Sequence, residues 1–170
     1  VEFLEREAII ERQHRGPIVD VEWRRLIERW SEDYGFQSSN LTVSCLQPRG
    51  LGALTNTLRA EDESRYALTG SLAAVRFAPY ASPRLAMIYV DDLQQAIEHL
   101  DLRPVSTGAN VLLAAGEYDV VFDRTLDIDG LRIVAPSQIA VDLLTGPGRS
   151  AAEAMALLDW MQAHESEWRQ

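Results

Sequence analysis

The sequence predicts a mixed α/β domain, with helices packed on a sheet of about five strands. Short apolar or β-branched runs, such as Leu41–Leu46 and residues 85–90, alternate with stretches of helical spacing. Gly and Pro clusters separate them, as at Gly16-Pro17 and Gly146-Pro147-Gly148. The composition, 46% hydrophobic and 25% charged over 170 residues, is that of an ordinary folded domain. A chain this long buries a core without a disulfide or metal staple.

Residues 2–14 read as a first helix with Phe3, Leu4, Ile9 and Ile10 on one side, stopped by Gly16-Pro17. Asp20 is placed to cap a second helix over residues 21–34, where Trp23, Leu26, Ile27 and Trp30 recur at helical spacing and Gly35 ends the run. Leu41–Leu46 alternates and is β-branched, hence a strand; residues 51–58 form a short helix after Pro48-Arg49-Gly50. Then come a strand at 66–68, a helix at 71–77, a buried strand at 85–90 and a helix at 92–100 capped by Asp91 or Asp92. Residues 111–113, 120–122 and 131–134 read as further strands, with a hairpin turn at Asp129-Gly130. Pro136–Leu144 is a helix, and Ser150 opens the last one, where Ser150 and Glu153 make a capping box and Ala152, Met155, Leu158 and Met161 a stripe. The two leading helices, residues 1–40, stand apart from an α/β body over residues 41–170.

All sixteen basic residues are Arg, and no Lys occurs. That excludes Schiff-base chemistry and the Lys-ended phosphate loop. A lysine-free, Ala/Arg/Leu-rich chain suits a GC-rich bacterial genome. Net charge is −3 over residues 1–40, −1 over 41–100 and −6 over 101–170, together −10. No region is basic, so non-specific affinity for nucleic acid is expected to be poor at physiological salt. Cys45 is the one cysteine, which fits a reducing cytoplasm, and no run is long and apolar enough for a bilayer, so no membrane partner is expected.

No complete catalytic signature is present. His14, His99 and His164 lie far apart without companions at metal-ligand spacing, so no metal and no cofactor are expected. Thr69-Gly70-Ser71 stands at a strand-to-helix junction, where backbone N–H groups can meet a phosphate; Ser71 is also half of a nucleophile elbow whose second Gly is missing. The structural alternative has Thr69 or Ser71 capping the helix while Gly70 makes the turn. Asp91 and Asp92 close a buried strand, where a carboxylate pair holds Mg²⁺ or simply caps the next helix. Asp123, Asp127 and Asp129 suggest a calcium loop, but Val134 stands where its closing Glu belongs. Arg24, Arg25 and Arg29 form a small basic cluster diluted by Glu22, Glu28 and Glu32, a weak candidate for phosphate contact.

Longer strings are more specific. Residues 66–74 (YALTGSLAA) lead to Tyr89-Val90-Asp91-Asp92 and residues 108–113 (GANVLL), then to residues 135–149 (APSQIAVDLLTGPGR). In this order they resemble the C-terminal domain of AbiEi-type antitoxins, the transcriptional regulators of type IV toxin–antitoxin systems. The resemblance spans about residues 46–161, and the Ser-Gln…Asp-Leu-Leu…Gly-Arg segment is its most specific part. It implies an antitoxin acting by binding on a nucleotidyltransferase-like toxin encoded by the neighbouring gene, without catalysis. It also implies operator DNA as a partner where a complete winged helix stands upstream; only two helices, with no β-hairpin, are read ahead of the matched strings. The partner or ligand face is placed at Thr69, Gly70, Ser71, Asp91, Asp92, Ser137, Gln138, Asp142 and Arg149, with the acidic final third as a second candidate. Asp142 and Arg149 are in position to pair across the Gly146-Pro147-Gly148 break. The rival reading is an enzyme, a diverged nucleotidyltransferase using Ser71 with Asp91 or Asp92, Mg²⁺ and a nucleotide.

Overall fold

The computed structural model describes residues 1–13, 16–60, 65–116 and 119–169. Its first helix is short: α1 spans Glu2–Arg6, and Ala8 at φ 52° turns the chain out of it. Strands β1 (Ile10–Arg12) and β2 (Ile18–Val21) then pair antiparallel, Ile10 facing Val21 and Glu11 facing Asp20. The helix expected over residues 2–14 is therefore one turn followed by a hairpin, and His14 lies outside the described residues. Ile9 and Ile10 suit either reading as a local pattern, and their burial at the foot of the hairpin decides for the strand. Asp20 belongs to β2 and caps nothing; helix α2 (Trp23–Asp33) starts after Glu22 and buries Trp23 and Ile27.

The body follows in chain order: β3 (Leu41–Leu46), α3 (Gly50–Arg59), β4 (Tyr66–Thr69), α4 (Gly70–Ala74), β5 (Ala86–Val90), α5 (Leu93–His99), β6 (Arg103–Pro104) and β7 (Val111–Ala115). Then come α6 (Val120–Asp123), β8 (Leu126–Ile128), β9 (Leu131–Ile133), α7 (Pro136–Leu144), α8 (Ser150–Ala163) and α9 (Glu165–Trp168). Seven strands form one mixed sheet in the order β6-β3-β7-β5-β4-β9-β8, with β5/β7 and β4/β9 parallel and the other pairs antiparallel. The sheet exceeds the expected five because its edge strands β6 and β8 have two and three residues, too few to show a period.

Residues 120–122, expected as a strand on β-branched composition, form the single helical turn α6. The strand that pairs with β9 is β8, and the turn joining them holds Asp129 at φ 55° and Gly130 at φ 71°, the two positive angles of a type I′ hairpin. The capping box at Ser150 and Glu153 does not form. Ser150 Oγ donates to the Pro147 carbonyl, and Glu153 points to other partners. The buried stripe of α8 is Ala154, Leu157, Leu158 and Met161, while Met155 is exposed.

The central strands are buried on both faces, as β4 and β5 show at every position. Strand alternation sends Thr69 and Tyr89 to one face, where α7 lies, and Tyr66 to the other, where its hydroxyl donates to the Leu58 carbonyl of α3. Helix α7 packs against α2, α4 and α8 as well as the sheet, so its residues are apolar almost all round. No helix among the described residues is long and apolar enough to cross a membrane.

Candidate functional site

The most polar part of the interior sits where α7 crosses β4 and β5. Gln138 and Asp142 are one helical turn apart on α7 and share the face turned to the sheet. Asp142 is wholly buried, and three donors converge on it: Thr69 Oγ1 at 2.5 Å from Oδ2, and Tyr89 OH at 2.9 Å and Gln138 Nε2 at 3.0 Å from Oδ1. The Tyr89 hydroxyl, donating to Asp142, accepts in turn from the Tyr34 hydroxyl at 2.6 Å. Tyr34 sits just past the end of α2 and also accepts from Asn40 Nδ2 at 3.1 Å. Burial raises the Asp142 carboxyl to about 7 against the hydrogen bonds from Thr69, Tyr89 and Gln138, which favour the charged form. The Tyr89 and Tyr34 hydroxyls are likewise pushed up by burial first and by Asp142 second.

A second cluster lies at the C-terminal end of β4. Gly70 has φ 63°, and a Cβ there would stand 2.6 Å from Met87 Sδ, so the turn into α4 needs glycine. Neither Thr69 nor Ser71 caps α4. Ser71 Oγ instead donates to the buried Glu153 carboxylate, which also receives Arg149 Nε at 3.1 Å. Arg149 reaches on to the Ser82 carbonyl at 2.7 Å, so the expected Asp142–Arg149 pair does not exist. Each group has a nearer partner on its own side of the break.

Asp91 and Asp92 are elsewhere. Strands β4 and β5 run antiparallel with Thr69 opposite Met87 and Tyr66 opposite Val90, so Asp91 follows β5 at the end of the pair remote from Ser71. Asp92 caps α5, accepting from the Gln95 amide at 2.8 Å, and Asp91 lies 3.7 Å from Arg65. Arg65 also meets Asp119 and covers the Phe122 ring. The constellation that the enzyme reading needs, Ser71 with Asp91 or Asp92, is not assembled. Among the described residues no three His, Cys, Asp or Glu side chains are grouped to hold a metal ion.

The nine residues placed on one face therefore divide four ways. Thr69, Gln138 and Asp142 form the buried network; Gly70, Ser71 and Arg149 gather around Glu153; Asp91 and Asp92 stand at the opposite sheet end. Ser137, half-buried in the first turn of α7, lines a recess with Arg124 and Trp168. The three arginines of α2 are held within the chain. Arg24 pairs with Asp159 and Glu28, Arg25 donates to the Glu7 and Ala8 carbonyls at the end of α1, and Arg29 pairs with Glu32 and Asp33 beside the Phe3 ring. Sequence reasoning missed Tyr34, Asn40, Tyr89 and Glu153. Tyr89 carried a signal, a polar tip inside an otherwise apolar buried run, which obliges a partner.

A seven-stranded mixed α/β domain, with a buried Tyr–Asp–Thr network at its centre and a helix and hairpin docked on its first long helix, is the class of protein these features define. Within that class the chain belongs to the AbiEi antitoxins, transcriptional regulators of type IV toxin–antitoxin systems, whose family model matches residues 20–162. No curated protein and no solved structure matches it.

Proposed function

We propose that this AbiEi-family regulator works through binding surfaces, with no chemistry of its own. The observation that carries the reading is the β4–β5 register, which holds Ser71 and the Asp91–Asp92 pair at opposite ends of two strands and leaves each engaged with a structural partner. The cognate toxin encoded by the neighbouring gene is the partner of the body from residue 41 onward. Two exposed patches offer it charge of either sign, Asp91 beside Arg65 at one sheet end and Arg149 at the other. Operator DNA is the partner of the front. A helix followed by a two-stranded antiparallel hairpin, α1 to β2, has the order of the last helix and wing of a winged helix.

Growth rescue tests this. The chain is co-expressed with the inducible neighbouring gene product, as wild type and as the charge reversals Asp91→Arg and Arg149→Glu. Rescue by wild type, lost in one reversal that still folds, is the expected result. Rescue untouched by both reversals refutes the two patches, and failure of the wild type against a toxic neighbour refutes the antitoxin reading.

A further inference from the structure

Beside the buried network, α2 and α6 enclose a cleft of about 300 Å³, lined among others by Trp30, Tyr34, Asn40, Val120, Val121 and Gln138. That volume is within the range of small-molecule sites, which join apolar walls to a few fixed polar groups. The walls here are the Trp30 indole and the branched side chains of Val120 and Val121. A second recess of about 220 Å³ shares Trp30, Val120, Val121 and Gln138, and extends the cleft toward Asp123 and Arg124.

The polar groups of the cleft are fixed by the network behind it. Gln138 is 8% exposed, and its Nε2 is committed to Asp142, Tyr89 and Tyr34 at 3.0, 3.2 and 3.4 Å. Asn40 Nδ2 is committed to the Phe36 carbonyl at 2.8 Å and to the Tyr34 hydroxyl at 3.1 Å. Because the acceptors on those sides are a carboxylate and a carbonyl, neither carboxamide can turn over without opposing oxygen to oxygen. Both amide oxygens, Gln138 Oε1 and Asn40 Oδ1, accept nothing from the described residues. The two amide nitrogens both donate to the Tyr34 hydroxyl, which is itself engaged with Tyr89. The cleft thus presents, next to an indole, two solvent-reached acceptors without a donor from the described residues, and none of its described lining residues carries a charge.

From this geometry we infer that the cleft binds a neutral, planar heteroaromatic ring carrying an amino group, of nucleobase size. The ring stacks on Trp30 against Val120 and Val121, its exocyclic N–H bonds meet the Asn40 and Gln138 oxygens, and its substituent projects into the recess at Arg124. The inference is independent of the toxin and DNA partners, since it concerns the chain alone.

Calorimetric titration of the whole chain with adenosine tests it, with purine riboside, the same ring without the amine, as control. Saturable one-site binding of adenosine is expected, with purine riboside weaker by about tenfold or more because its ring would cover the two acceptors without supplying donors. Trp30→Ala and Val120→Asp, at positions 37% and 65% exposed, are each expected to weaken adenosine by about tenfold or more while melting as the wild type does. No binding of adenosine at millimolar concentration overturns the inference. Equal binding of purine riboside, or indifference to both substitutions in folded protein, does so as well.

Discussion

Replacing Asp142 by Asn removes an ionisable proton from the helix–sheet interface while keeping its three side-chain contacts, the one to Thr69 with its direction reversed. The Asn Oδ1 still accepts from Tyr89 and Gln138, and Nδ2 donates to Thr69 Oγ1, which is free to accept. In the wild type, burial raises the folded carboxyl to about 7 from a reference of 3.8. The native state therefore binds this proton more tightly than the unfolded chain. The associated stability is present in full below the unfolded value and is lost as pH rises through 7. Between about pH 5.5 and pH 8.5 the wild type should lose about 2 kcal/mol more than Asp142→Asn, the difference cancelling the titration of all other groups. Urea unfolding at both pH values measures it, read as midpoint shifts at constant slope. Parallel losses in the two proteins would refute the argument, and so would a variant markedly less stable than wild type at the alkaline end. Asp142→Ala is the contrasting control: it strands the buried hydroxyls of Thr69 and Tyr89 and should cost about 1–3 kcal/mol for each unpartnered group.

Two further expectations rest on single positions. Gly70→Ala forces a side chain into left-handed backbone and onto Met87, and should lower the thermal midpoint by an amount equivalent to about 1–3 kcal/mol, measured by circular dichroism. Asp92→Ala removes the cap of α5 and should cost about 1 kcal/mol in urea unfolding, largely restored by Asp92→Ser. If the Ser replacement does not restore stability, the aspartate does something other than cap.

The strands with long apolar runs were legible in the sequence, since Leu41–Leu46, β5 and β7 are apolar or β-branched runs of a length that excludes a free-standing helix. Helix α7 was legible for the opposite reason, its Pro at N1 and its long run before Gly146. What failed were segments of three or four residues. Val120 to Phe122 looks β-branched, yet three residues carry no period, and they form a turn of helix with the Arg65 guanidinium over Phe122. The N-terminal hairpin failed because adjacent isoleucines fit a helix flank as well as a strand foot, and its register is decided by pairing with β2. Of the residues expected on one face, Thr69, Gln138 and Asp142 are brought together by the fold, but in the interior. A carboxylate in a helix apolar on every side had to be buried, and Gln138 four residues before it was the visible half of its solvation. Tyr34 and Asn40, more than a hundred residues away in sequence, could be joined to it only by the fold.

Helix α2 has a mechanical consequence. Near its start, the Glu22 amide bonds to the Ile9 carbonyl, Arg25 grips the end of α1, and Trp23 meets the Trp168 ring edge-on. Past its other end, Tyr34 is bolted to Tyr89 and Gln138. Eleven helical residues make a rod of about 16 Å that resists twisting far better than a loop of that length. Pinned at both ends, it acts as a strut: the direction in which the hairpin leaves the body is tied to where the tyrosines sit in the middle of the sheet.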